Sequence, residues 1–166
     1  MTTIPTSLTI PALLDAQAQQ FGDREAVVYG STRLTYSALR FEVRRAAKGF
    51  VALGVKRGNH VAILMGNRPE WIIAFLALQQ LGAVAVGLNT WSTPRELAFT
   101  LAHAEIDVLI AVDRFRNNDY RAMLDDMHAQ ANHFPNLRNI VWLSSAASTA
   151  SGLKGQMAWD QVLTPG

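Results

Sequence analysis

The sequence predicts an α/β fold: a doubly wound, mostly parallel sheet flanked by helices, with a small hairpin near the N-terminus. Three observations predict it. Residues 61–65, Val-Ala-Ile-Leu-Met, form a continuous apolar run of strand length, as expected of a parallel strand covered on both faces. A helix-length apolar stretch ending at Gly82 separates that run from a second one, Ala83-Val84-Ala85-Val86, and parallel strands need a crossover of about a dozen residues. Two more apolar runs follow, Asp107 to Val112 and Ile140 to Leu143, each preceded by a helical pattern, so the order β, α, β, α, β, α, β repeats the unit.

Taken in order, Ile10, Leu13, Leu14, Ala18 and Phe21 share one helical face, with Thr9 as the cap, Pro11 in the first turn and Gly22 just past the end. Glu25 to Tyr29 and Thr32 to Tyr36 read as strands joined by Gly30-Ser31, the two-residue pattern of a type II′ hairpin. Leu39, Val43, Ala47 and Phe50 mark the buried stripe of a second helix. It stops at Gly54, where Val55 supplies the apolar contact of a glycine-terminated cap, and Arg57-Gly58-Asn59 turns the chain. In the central unit, Asn67 is expected to cap the next helix with Glu70 reaching back to it, and Pro69 occupies the first turn. From Trp71 to Leu78 this helix is apolar nearly all round, which predicts a core helix with almost no exposed face; a bilayer span needs about 20 such residues.

Thr93-Pro94-Arg95-Glu96 is a capping box with proline at the first helical position, and the helix it opens buries Leu97 and Leu101. Tyr120, Met123, Leu124, Met127 and Ala131 define another amphipathic helix, and Trp159, Val162 and Leu163 a last short one. Between them, residues 144–155 are small and polar, the composition of a flexible surface loop.

Composition bounds the function. Of 166 residues 49% are hydrophobic and 17% charged, enough apolar material for the core of a single α/β domain spanning 1–166. Fifteen Lys and Arg against thirteen Asp and Glu leave a net charge of +2, too small for a nucleic-acid partner. The densest basic cluster, Arg40, Arg44, Arg45 and Lys48, has helical spacing and reads as a solvated face. With no cysteine there is no disulfide, thiol nucleophile or thiolate metal site. The N-terminus lacks the features of a signal peptide and no stretch is a transmembrane segment, so a cytoplasmic protein is expected.

A doubly wound sheet directs attention to the turns that follow its strands. Met65-Gly66-Asn67-Arg68-Pro69 holds one glycine where a dinucleotide fingerprint has three, and Pro69 removes an amide. Gly87-Leu88-Asn89 closes the second strand without an acidic residue, and Thr90-Trp91-Ser92-Thr93 is hydroxyl-rich but reads as a loop ending in a cap. His60, His103, His128 and His133 are scattered, and no pair has metal-ligand spacing. Asp125 and Asp126 are adjacent and so point to different sides of a helix. Ser144 and Ser145 have no basic partner nearby in sequence, and Trp71, Phe75, Trp142 and Trp159 read as core anchors. Residue chemistry alone thus names no catalytic, cofactor-binding or metal-binding residue.

Several pieces together nevertheless resemble a known family. They are Leu34-Thr35-Tyr36 leading into a helix, Leu53-Gly54-Val55 with Gly58 and the strand after it, Asn67 with Glu70 and Phe75, and Leu81-Gly82-Ala83-Val84 running to Leu88-Asn89. In order and spacing the chain from about Leu8 to about Leu143 resembles the N-terminal part of the adenylate-forming enzymes, the group of acyl-CoA synthetases, luciferases and adenylation domains of peptide synthetases. The resemblance implies a parent ligase that activates a carboxylic acid with ATP and magnesium to an acyl-adenylate and then passes the acyl group to coenzyme A. It also implies that the family's phosphate loop, adenine motif, ribose-binding aspartate and catalytic lysine lie beyond the matched region. This chain would then be an N-terminal scaffold segment, inactive alone, binding no cofactor itself and partnered by the rest of the synthetase. Gly87 and Thr90-Trp91 stand where many members carry prolines, which leaves the acid open. Two other readings stay beside this one: a free-standing Rossmann-like module for a small ligand, and an interaction module without a ligand.

Overall fold

The computed structural model describes residues 9–129, 134–143, 153 and 155–164. Helix α1 (Ile10–Phe21) opens on Thr9, whose hydroxyl accepts from the Ala12 amide at 3.3 Å. Strands β1 (Glu25–Tyr29) and β2 (Thr32–Thr35) then pair antiparallel with Tyr29 opposite Thr32, leaving the expected Gly30-Ser31 turn with Gly30 at φ +55°. The sequence carries the second strand to Tyr36, but Tyr36 is the first residue of α2 (Tyr36–Ala52): the Thr35 hydroxyl accepts from the Ala38 amide at 3.1 Å and so starts the helix there. Its end follows the glycine-terminated pattern, with Gly54 at φ +80°, the Gly54 amide on the Val51 carbonyl and the Val55 amide on the Phe50 carbonyl, both at 2.9 Å.

Strand β3 (His60–Leu64) leads to α3 (Pro69–Leu81), whose start departs from the expectation. Asn67 is exposed and Arg68 holds the cap position without a side-chain cap bond. Glu70 turns to Arg68 instead, in a two-pronged pair at 2.8 and 2.9 Å, because a guanidinium two residues away offers two charge-assisted bonds where the cap offers one amide. Burial, the largest single influence, would raise the Glu70 carboxyl, but the bond to Arg68, a backbone hydrogen bond at Glu70 and the charge of Arg68 together hold the group below the usual carboxylate range. The helix is also not covered all round. Ile73, Ala74, Ala77 and Leu78 are buried, while Trp71, Ile72, Phe75 and Leu76 are half-buried, since α3 lies over the edge of the sheet rather than its middle.

Strand β4 (Val84–Gly87), helix α4 (Pro94–His103) and strand β5 (Val108–Ala111) follow as predicted. The capping box of α4 is complete: Glu96 accepts from the Thr93 amide at 2.8 Å and returns its own amide to the Thr93 hydroxyl at 3.3 Å. After β5 the chain forms a hairpin that the sequence reading lacks, β6 (Arg114–Phe115) with β7 (Asn118–Asp119), before α5 (Tyr120–Ala129) and β8 (Asn139–Trp142). A fifth parallel strand, β9 (Gln156–Ala158), was likewise not expected; it pairs with β8 and runs into α6 (Trp159–Leu163). Gly155, at φ +70°, makes that strand possible, since a side chain there would meet the Arg138 carbonyl. Most of the expected loop 144–155, together with Ala131 and His133, lies outside the described residues.

The sheet has the order β4-β3-β5-β8-β9, all parallel, as a doubly wound fold requires. Helices α1, α2, α3 and α6 pack together as one group and α4 with α5 as another, the arrangement that right-handed crossovers place on opposite faces. Val61 to Met65 and Val108 to Val112 are buried between them. At Gly49 of α2 the absence of a side chain lets the Val162 carbonyl of α6 approach, which draws the last helix onto the core.

Candidate functional site

The chain leaves β3 for β4 on one side and returns to β5 on the other, so the order of the sheet reverses at β3. Open parallel sheets bind ligands in the crevice beyond the carboxyl ends of the strands at such a reversal. A broad cleft of about 800 Å³ lies there, walled by Met65, Gly66 and Asn67 after β3, by residues 87–91 after β4, and by Phe115 and Arg116 from the new hairpin.

Each wall has a local cause. Gly66 is required by close approach, because a side chain at that position would run into the Phe115 ring. Trp71, in the first turn of α3, stacks on Phe75 with ring centroids 5.5 Å apart and reaches into the cleft opposite Gly87. Trp91 is 66% exposed, and the Arg116 guanidinium lies 4.5 Å from its ring centroid. Arg116 itself sits at φ +54°, a left-handed conformation uncommon outside glycine. A second groove of about 280 Å³, lined by Thr90, Trp91 and residues 115–118, continues along the far side of the indole.

The sequence named no site residue, and the structure shows what that reading overlooked. Trp71 and Phe75, read as core anchors, are half-buried and Trp71 faces the cleft, whereas Trp142 at 2% and Trp159 at 7% exposure are core residues as expected. The turn at Gly66-Asn67 and the segment Gly87 to Trp91, set aside as a cap and a loop, are two of the walls. Phe115 and Arg116 come from the hairpin that periodicity did not reveal. Among the described residues His60 donates Nδ1–H to the Ala104 carbonyl at 2.6 Å, and His103 stacks on Phe99. The carboxylates nearest the cleft are engaged with arginines, Glu70 with Arg68, Asp113 with Arg121 and Asp119 with Arg114. Among the described residues no three His, Cys, Asp or Glu groups are placed to hold a metal ion. The arrangement offers a cation and an aromatic face, which suit binding of a planar or anionic group.

Comparison with known proteins decides the family. The profile of the AMP-binding enzymes matches residues 14–159, nearly the whole chain. The chain belongs to the AMP-binding enzyme family. It is 32% identical over 143 residues to the acyl-CoA ligase SID4 of Ajellomyces capsulatus, covering 84% of this chain and 24% of that protein. It is 29% identical over 164 residues to the putative acyl-CoA synthetase YngI of Bacillus subtilis, covering 92% of this chain and 29% of that one. In fold it resembles the anthranilate CoA ligase AuaEII, solved in complex with anthranoyl-AMP, with a TM-score of 0.80 and 21% identity over 96% of this chain and 28% of that one. The chain thus spans about a quarter of the length of these AMP-binding enzymes, and its sheet and hairpin correspond to their N-terminal subdomain. No described helix is long and apolar enough to cross a membrane.

Proposed function

We propose that this chain is the N-terminal scaffold segment of an acid–CoA ligase. The assembled ligase joins a carboxylate to the α-phosphorus of ATP with release of pyrophosphate, and the thiol of coenzyme A then displaces AMP to give the thioester. The observation that carries the reading is the family match over residues 14–159 together with relatives that are acyl-CoA ligases and three to four times longer. ATP, magnesium and coenzyme A are reactants and cofactor of the whole enzyme, and the rest of the synthetase is the partner of this segment. The cleft beyond β3 and β4 faces the substrates in that assembly, a role supported by its place at the reversal of the sheet. A cytoplasmic location belongs to the same reading, and a cysteine-free sequence accommodates it.

The segment alone is inactive. Adenylyl transfer needs positioned amides, lysines and a metal to neutralise charge developing on the phosphates. Of the described lysines, Lys48 is exposed on α2 and Lys56 is exposed at the far end of β3, away from the cleft. Among the described residues the carboxylates do not offer a magnesium site either, since those near the cleft are committed to arginines. The test is pyrophosphate exchange with a panel of short, long and aromatic acids. The purified chain should show only background exchange, and the same sequence within its full-length ligase should exchange with at least one acid. Exchange by the chain alone would overturn the scaffold reading, and tight ATP binding without exchange would favour a free-standing ligand-binding module.

A further inference from the structure

Two side chains from the β6–β7 hairpin and the start of α5 converge on a single main-chain acceptor in the cleft wall. Asn118 donates Nδ2–H to the Thr90 carbonyl at 3.0 Å, and Tyr120 donates its hydroxyl to the same oxygen at 2.8 Å. Tyr120 is only 1% exposed, so its hydroxyl needs a partner and finds it in that carbonyl. The residue fixed in this way is the immediate neighbour of Trp91, which remains 66% exposed. On the other side of the indole stands Arg116, in a left-handed conformation that costs on the order of 1 kcal/mol for a non-glycine residue. The hairpin that carries Arg116 is seated in turn by Phe115 against Gly66. The Tyr120 ring belongs to the core and Asn118 is half-buried, but ordering an exposed indole and an exposed guanidinium gains little burial, so the strain at Arg116 is not explained by core packing.

We propose that Tyr120 and Asn118 are positioning residues: through the Thr90 carbonyl they hold Trp91 and Arg116 as one preformed wall of the cleft, ready to stack on and pair with a planar or anionic group of a substrate. The proposal rests on the substrate-facing reading of the cleft given above. Pre-ordering the wall removes from each binding event the entropy of arranging it. A latch made through a main-chain carbonyl engages neither cleft side chain itself.

The test has two arms. In the 166-residue chain, heteronuclear NOEs of residues 88–92 and the ring-current shift of the Arg116 Nε–H are compared between the parent and the double variant Tyr120→Phe, Asn118→Ala. The variant should lose the ring-current shift and show the low NOEs of a mobile loop at Thr90 and Trp91, with the sheet resonances unmoved. Asn118→Ala alone, which leaves the buried ring untouched, should show a smaller change of the same kind and serves if the double variant does not fold. A loop as rigid as in the parent in either variant would overturn the latch. In the full-length ligase the double variant should raise the KM of one substrate on the order of tenfold with kcat held within about twofold. A loosened loop with every KM unchanged would leave the latch standing and refute the substrate-facing reading of the cleft.

Discussion

Where the parallel strands begin, Asp107 gathers donors from three directions; where they end, donors are spent on a loop that stays open to solvent. At the first end the Asp107 carboxylate accepts from Asn59 Nδ2 at 2.8 Å, from the His60 amide at 3.2 Å and from Arg138 at 2.9 Å, which ties the starts of β3, β5 and β8 together. Asn59 accepts from the Lys56 amide at 2.8 Å, and the Gly58 amide reaches the Gly82 carbonyl, so the turns below the sheet are stitched to the same cluster. At the other end Thr90 is held by two donors, yet its neighbour Trp91 stays exposed and Arg116 is strained. The same sheet thus carries a closed end that serves stability and an open end that holds groups ready for something else.

The comparison breaks most visibly if the closed end is cut. Asp107→Ala leaves Asn59, the His60 amide and the exposed Arg138 guanidinium without their shared acceptor, and the first two, being partly buried, cost about 1–3 kcal/mol each when unsatisfied. We expect a loss of about 3 kcal/mol of the roughly 5–15 that a domain possesses, read as a lower urea midpoint with an unchanged slope. A loss below about 0.5 kcal/mol would mean that water replaces the carboxylate and that the two ends do not differ in kind.

A smaller effect is expected at the capping box beside the open end. Thr93→Ala removes the acceptor for the Glu96 amide and should cost about 1 kcal/mol. The Thr93 amide and then its hydroxyl hold the Glu96 carboxyl below its usual range, so loss of the hydroxyl should move that carboxyl part of the way back, which a carboxyl-carbon NMR titration would follow. An unchanged midpoint together with an unmoved titration would show that the box is not what starts α4.

What the sequence made legible was local. The α4 box is written within four residues, the ends of α2 and α3 within two or three, and the buried strands β3 and β5 as unbroken apolar runs; the structure has all of them. Asn67 is not the cap, since the helix starts with Arg68 at the cap position, and Glu70 pairs with Arg68, a nearer and stronger partner, instead of reaching back. Two elements left no pattern to read. The β6–β7 hairpin turns at Arg116-Asn117 without a glycine or proline, and β9 is three residues long behind a low-complexity stretch, identified only by Gly155 and by Trp142 Nε1–H donating to Gln156 at 2.7 Å. The cleft was hidden for a further reason: its walls come from four places along the chain and meet only through the topology of the sheet.

The finest test of the contrast is Arg116→Gly. Glycine adopts φ +54° without the steric cost that arginine bears, a gain on the order of 1 kcal/mol. Against this stand the lost contact with the Trp91 face, about 0.5–1 kcal/mol at an exposed site, and the larger backbone entropy of glycine in the unfolded chain. These nearly cancel, so the urea midpoint should stay within about 0.5 kcal/mol of the parent. The Trp91 indole, by contrast, should become more accessible to the neutral quencher acrylamide, and its contribution can be separated from the other tryptophans because Trp142 and Trp159 are buried and Trp71 is half-buried. A residue whose removal leaves stability untouched while loosening an exposed aromatic is maintained for the cleft and not for the fold. A drop of more than about 1 kcal/mol would assign Arg116 to the hairpin's own stability, and the open end of the sheet would then be held together by the same kind of contact as the closed one.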